Sequence, residues 1–183
     1  MTRAALGIRG VDPARVDFEV ELTNTDGTKL DGTNIDVLIT EAPTRRAVIE
    51  VKLTEAVFGR AAHDRRHLDK LRTIYTPLLQ GRLDDSLLQP SAFFHDYQLL
   101  RNLAQLRRGS DDRVLLLLPR ARERLWEFAI AWCGRPELGA LSGKISVIAL
   151  EDLLAAMQID AECSGVGQGP YEATAFKYLA PAG

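Results

Sequence analysis

The sequence has little cysteine, little net charge and no long apolar run. Cys133 and Cys163 lie too far apart for a CxxC metal or redox motif, and two thiols define no disulfide framework. They read as reduced, structural residues. No apolar run approaches the roughly 20 residues that a membrane span requires, and Val114–Leu118 is typical of those present. The first residues lack the apolar core of a signal peptide, so the expected setting is the cytoplasm, away from the membrane. With 23 Lys+Arg against 25 Asp+Glu the net charge is −2, and no global positive field advertises nucleic acid. Any basic surface must be local. Aromatics are 7% of the chain, and Trp126 and Trp132, six apart, form no base-stacking ladder and read as core.

What is present is an ordinary globular balance: 183 residues, 46% hydrophobic and 26% charged. That size predicts one domain over 1–183, with its core at about 16–158 and a tail at 159–183. No internal repeat is visible.

Alternation over 16–22 predicts a strand. Asp26-Gly27 and Asp31-Gly32 mark a loop, after which a second strand is expected from about Asn34. Ile35–Thr40 and Ala47–Leu53 are β-branched runs joined by a short polar connection at 41–46, the pattern of an antiparallel hairpin. Apolar spacing then predicts a basic helix over 58–80, ended by Pro77, and a second helix over 92–108. Val114–Leu118 and Ile145–Leu150, apolar on both faces, read as buried parallel strands, with a helix over 120–133 between them. A closing helix is expected at 151–157. The glycine-rich run Cys163–Pro170 has no helix behind it, so a phosphate-loop reading fails. The order is that of an α/β chain with a mixed sheet.

Charges are the anomaly in this pattern. Asp36 interrupts one apolar strand, and Glu50 and Lys52 interrupt the next, where buried charge is costly. In an antiparallel ladder the numbers of paired residues add to a constant, here 86, so Asp36 stands opposite Glu50 and Lys52 shares their face. Two carboxylates at cross-strand distance repel unless a cation lies between them, and one ammonium only partly offsets this. Hard oxygen ligands without Cys or a His pair select Mg²⁺, with Mn²⁺ able to substitute, and such an ion takes one or two carboxylates plus substrate phosphate. Metal-assisted phosphodiester hydrolysis follows. The competing reading is a purely structural ion-pair network, which explains one charged pair and leaves a carboxylate over.

Asp36, thirteen residues, then Glu50-Val51-Lys52 resembles the D…(D/E)xK signature of the PD-(D/E)XK nuclease superfamily. Ile49–Glu55 and Tyr97-Gln98-Leu99-Leu100-Arg101-Asn102 are similar to a bacterial branch of restriction-endonuclease-like proteins. The resemblance covers about 16–150 and implies a restriction-endonuclease-like αβββαβ core, its mixed central sheet flanked by helices. It makes Asp36 and Glu50 metal ligands with the Val51 carbonyl as a third, and gives Lys52 the attacking water and the developing negative charge. Either Glu19 or Glu21 would complete the acidic site, Glu19 slightly favoured. Gln98 and Arg101 would reach substrate phosphate or the site's rim, against a reading in which that side of the helix faces solvent. The chain departs from the pattern at Ile35, where proline is typical, and in showing no clear helix before its first strand.

Arg65, Arg66 and Lys70, in a basic cluster with Arg60 and Arg72, could track a phosphate backbone or form a solvated face paired with Asp64 and Asp69. His63 and His67, four apart among these cations, lack a third ligand, which argues against a metal there. Glu55 either extends the acidic site or caps the following helix, the cap being favoured. The expected function is a metal-dependent endodeoxyribonuclease of a restriction or defence system acting on double-stranded DNA, and a twofold dimer would suit cutting both strands. The alternatives are an inactive fold that binds DNA or protein, and a nuclease for RNA or branched DNA.

Overall fold

The parallel half of the sheet decides where the helices lie. In a computed structural model of the chain, which describes residues 15–23 and 29–164, five strands run in the order β1-β2-β3-β4-β5. These are β1 (Arg15–Thr23), β2 (Lys29–Ala42), β3 (Arg45–Val51), β4 (Arg113–Leu118) and β5 (Ile145–Ala149). β1, β2 and β3 pair antiparallel, and β3, β4 and β5 pair parallel. Parallel neighbours need crossovers, and right-handed crossovers that step one way across a sheet fall on one face. That face carries α1 (Arg65–Lys70), α2 (Thr76–Leu79), α3 (Pro90–His95), α4 (Tyr97–Ala104) and α5 (Glu123–Cys133). Val48, Val114, Leu116 and Leu118 of the sheet meet Tyr75, Phe93, Leu99 and Leu125 there. The other face is covered by α6 (Leu150–Ser164), whose Leu150, Leu153 and Leu154 pack on Ile39, Ala47, Ile49, Leu115 and Leu117. Each such aliphatic or aromatic side chain, fully buried, contributes about 1.5–3 kcal/mol. The mixed α/β class and the strand pairing agree with expectation, while a helix preceding β1 would fall outside the described residues.

Several boundaries differ for local reasons. β2 begins at Lys29, because Asp31-Gly32 bends the strand without ending it, Gly32 supplying a φ of 67°. The hairpin turns tightly on Pro43-Thr44, with a register shift between Thr40 and Ala42 absorbing the spare residue. The helix expected over 58–80 starts only at Arg65, where the Asp64 carboxylate accepts the His67 N–H at 2.8 Å as its cap. Pro77 does not end that helical run. A wider π turn at Leu71–Tyr75 precedes it, and the proline sits in the first turn of α2, where its missing N–H costs nothing. The helix expected over 92–108 breaks at Asp96 into α3 and α4, the helix expected over 120–133 starts at Glu123, and α6 outruns its expected 151–157. The glycine-rich run from 165 lies outside the described residues. Among them no helix is long and apolar enough to cross a membrane. Burial pushes the Cys133 thiol up to about 11, which suits an inert packing residue. Trp132 is core, and Trp126 holds the Arg120 guanidinium 5.4 Å from its ring centre.

Candidate active site

β3 is central to the sheet, and its alternation sends Ala47, Ile49 and Val51 toward α6 while Val48 and Glu50 face α1–α5. The Val37↔Ile49, Leu38↔Val48, Ile39↔Ala47 and Thr40↔Arg46 rungs each add to 86, the expected register. The ladder stops at Val37↔Ile49. Lys52 N–H donates to Leu117 O of β4 at 3.0 Å, so alternation aims Val51 N–H at β2. There the Asp36 carboxylate receives it, Oδ2 at 2.7 Å, where a backbone carbonyl would otherwise form the next rung. The two strands part at this point, and the gap between them opens beside Glu50.

Glu50 is 3% exposed and its charge is fully matched. Oε1 accepts from the Gln98 side-chain amide and lies 3.2 Å from Lys52 Nζ. Oε2 accepts from Asn102 Nδ2 at 3.0 Å and from the Arg101 guanidinium at 3.4 Å. The three donors on α4 come at i, i+3 and i+4, one face of a helix. This polar face, which the sequence equally allowed to meet solvent, is turned inward. Gln98 has no freedom to flip: its NH₂ serves Glu50 while its Oε1 accepts Gly59 N–H at 2.6 Å, and its own N–H donates to Gly59 O at 3.1 Å. The chain at Gly59 is therefore clasped to the residue that holds Glu50, and a Cβ there would come within 3.2 Å of Gln98 Oε1.

Lys52 lies between two acids, with Glu55 Oε1 at 3.5 Å from Nζ. Glu55 caps no helix, since the next begins at Arg65, and its carboxylate instead pairs with Lys52. Burial works to raise its carboxyl, but the N–H groups of Thr54 and Glu55 and the Lys52 ammonium outweigh it and hold it below the usual carboxylate range. Asp36 is partly exposed and Glu55 exposed, so the cluster opens to solvent on their side.

The other expected residues divide. Glu19 takes the left-handed φ of 51° and leaves the β1–β2 ladder between Phe18↔Val37 and Val20↔Ile35, across from Asp36. Such strain in a non-glycine residue costs about 1–3 kcal/mol and concentrates at functional sites. Its carboxylate is 3.5 Å from Asn34 Nδ2, and Glu21 pairs with Asn34 in register. Arg65 and Arg66 are exposed, Arg65 only 3.9 Å from Asp69. Lys70 is withdrawn from any phosphate surface by an ion pair with Asp31. His63 stacks on Phe94 at 4.3 Å and His67 holds Asp64 at 2.8 Å, so neither is poised for a metal.

Asp31 was legible only as a turn residue. Its Oδ2 accepts from the Tyr75 hydroxyl and, at 2.6 Å, from the Tyr97 hydroxyl. Burial would raise its carboxyl, but Lys70 and the two hydroxyls hold it below the usual range. Burial and the Asp31 charge push the Tyr75 hydroxyl far up and Tyr97 up to about 12. This cluster pins the start of β2 to the helical layer.

Among the described residues no three His, Cys, Asp or Glu side chains gather closely enough to hold an ion by themselves. Two carboxylates with a backbone carbonyl and waters would suit Mg²⁺, which keeps several waters and demands few protein ligands. Asp36, Glu50 and the Val51 carbonyl are such a set, provided Glu50 yields one of its present donors, of which Arg101 at 3.4 Å is the weakest.

Neither the curated proteins nor the solved structures give a match. A family model matches residues 1–178, nearly the whole chain, and the mixed sheet flanked by helices is consistent with a restriction-endonuclease-like core. The chain belongs to the family described as Restriction Endonuclease associating with ARP.

Proposed function

We propose that this chain is a Mg²⁺-dependent endodeoxyribonuclease of the PD-(D/E)XK type, acting in a restriction or defence system alongside the ARP partner in its family's name. The observation that carries the reading is the buried Glu50–Lys52 pair, 3.2 Å apart, at the carboxyl end of a central strand beside a carboxylate from the neighbouring one. Ligand sites in sheets with parallel strands favour that end. Glu55 shares Lys52 with Glu50, and the Asp36 carboxylate, held by Val51 N–H, has no cation of its own among the described residues, a surplus that a purely structural network does not require.

Asp36, Glu50 and the Val51 carbonyl would hold the ion, which when bound supplies Lewis-acid stabilisation of the phosphate and a more acidic water. Lys52, steadied by Glu50 and Glu55, orients the attacking water and stabilises negative charge as it develops on phosphate oxygen. Gln98 and Asn102 fix the Glu50 rotamer. Arg101, partly exposed beside Glu50, is placed to take substrate phosphate once released.

The test is cleavage of plasmid and linear DNA with Mg²⁺ or Mn²⁺ by wild type, Glu50→Ala and Lys52→Ala. Cutting by wild type alone, abolished by chelation, supports the assignment, and equal cutting by all three rejects it. A second reading, an inactive fold that binds DNA or protein, draws on the four donors already facing Glu50. It requires DNA binding without cleavage and no Mn²⁺ uptake by titration calorimetry. Single strands, junctions and RNA as substrates separate the nuclease variants, and light scattering reads any dimer.

A further inference from the structure

Immediately after Glu55 the chain passes along a cavity of about 300 Å³ that the reaction outlined above leaves unused. Phe58, Leu99, Leu125 and Phe128 wall it, and Arg60 and Arg124 stand at its rim. The Phe58 and Phe128 rings touch, 6.0 Å between centroids and tilted by 37°, which leaves the outer face of the half-exposed Phe128 ring open to the cavity mouth. This volume is at the low end of the roughly 300–1,000 Å³ of small-ligand sites, room for one planar base. Phe128 and Val57 keep 37% and 63% of their surface in solvent, an apolar exposure that a soluble fold gains nothing from by itself.

The rim is cationic by construction. Arg124 has no ion-pair or hydrogen-bond partner among the described residues, and Arg60 has only His95. Asp96, 3% exposed, accepts His95 Nδ1–H at 2.6 Å and is itself held by Arg135 at 2.9 Å. That fixes the tautomer: His95 Nε2 is left as an acceptor, and the Arg60 guanidinium donates to it at 3.1 Å. A buried carboxylate thus orients a histidine whose work is to hold an arginine at the cavity mouth. Aromatic walls edged by one unpaired guanidinium group and one held only by a histidine match a group that is flat at one end and anionic at the other.

The cavity also has a fixed place relative to the cluster. Its Ala56 and Val57 directly follow Glu55, its Leu99 directly follows Gln98, and Gly59, between Phe58 and Arg60, is the residue Gln98 clasps from both sides.

We propose that this cavity takes an unpaired nucleotide of the DNA strand being cut, its base stacked on the exposed Phe128 ring and its phosphate on Arg60 and Arg124. The inference rests on the nuclease reading for the identity of the strand. It makes the substrate a strand with an unstacked base next to the scissile phosphate, either single-stranded already or opened on binding.

The test runs in chelator, where no cleavage can occur, with a short single-stranded oligonucleotide carrying 2-aminopurine. Wild type and Glu50→Gln should both brighten the probe on binding. Phe128→Ser should abolish the brightening and weaken binding at least about fivefold, the lower bound for losing one base–aromatic stack. Arg124→Glu, a change at an exposed side chain with no ion-pair partner among the described residues, should weaken binding without altering the thermal midpoint, so a folding defect in Phe128→Ser leaves a clean variant. Brightening without any cleavage in Mg²⁺ rejects the nuclease reading and leaves the pocket standing. Unchanged emission with wild type, no oligonucleotide binding, or equal affinity in the variants overturns the pocket. Saturation by dAMP as tight as by the oligonucleotide overturns the strand as occupant in favour of a free nucleotide.

Discussion

Two buried carboxylates sit at opposite ends of the β3–β4 pair and are treated in opposite ways. At the amino end Asp112 takes Arg46 N–H at 2.9 Å, Arg107 N–H at 3.2 Å and both guanidinium groups, with Arg46 at 3.2 Å and Arg107 at 2.8 Å. Burial alone would raise its carboxyl, but these partners prevail and bring it down to about 2. Cations outnumber the anion, every oxygen is bound to the chain, and nothing is left to engage a ligand. At the carboxyl end the balance differs. Glu50 leans on two neutral amides as well as two cations, one of which, Lys52, it shares with Glu55, and the nearby Asp36 carboxylate has no cation of its own among the described residues. A buried charge with surplus cations is a structural knot; one with further acids beside it is, on the proposed function, where a cation and a phosphate would enter.

The sharpest way to break this contrast is at Glu50. Glu50→Gln keeps the shape of the side chain but removes its charge, and plasmid cleavage should fall about a thousandfold, in line with loss of a principal electrostatic group. At the other end Asp112→Ala should cost about 3 kcal/mol in urea unfolding, because it strands two guanidinium groups and two N–H donors, while cleavage per folded molecule stays unchanged. Should the knot affect cleavage, or the Glu50 change affect only stability, the two ends are not different in kind.

Acid gives a graded version. Because Asp112 has a folded value of about 2 against an ordinary 3.8, its stabilisation is fully present above 3.8 and is lost as pH falls toward 2. That stabilisation is roughly 2 kcal/mol. The urea-midpoint difference between wild type and Asp112→Asn should therefore be constant from pH 7 to pH 5 and shrink below 4. Asn102→Ala, which leaves a buried Glu50 oxygen short of a donor, should cost about 1 kcal/mol and slow cleavage. Smallest of all, Gly59→Ala crowds Gln98 Oε1 and should slow cleavage severalfold with stability changed by less than about 0.5 kcal/mol in urea unfolding.

The sheet was legible because periods of two and buried aliphatic runs are local signals. The antiparallel start of the sheet, its later parallel sense and the register through Thr40↔Arg46 all follow from them. The convergence of Glu50 with Gln98 and Asn102 was foreshadowed by charge in an apolar strand and by the polar residues of α4. Partners brought together only by folding were not legible. Asp31 looks like a turn beside its glycine, and nothing nearby announces Tyr75 or Tyr97. Asp112 looks like a helix stop, and its arginines lie on β3 and beyond α4. Helix limits failed where a single side chain decides them, as Asp64 does for α1, or where adjoining turns share one apolar pattern, as on either side of Asp96.

Tyr97 and Gln98 are consecutive residues, yet the first grips β2 through Asp31 and the second grips β3 through Glu50. The first turn of α4 thus works as a caliper with one jaw on each strand, and it sets the width of the cleft where they separate. On the proposed function, substrate fit at this cleft would accordingly be governed by a helix that supplies neither of the two acids, and resizing its jaws would retune cleavage while Asp36 and Glu50 stay in place.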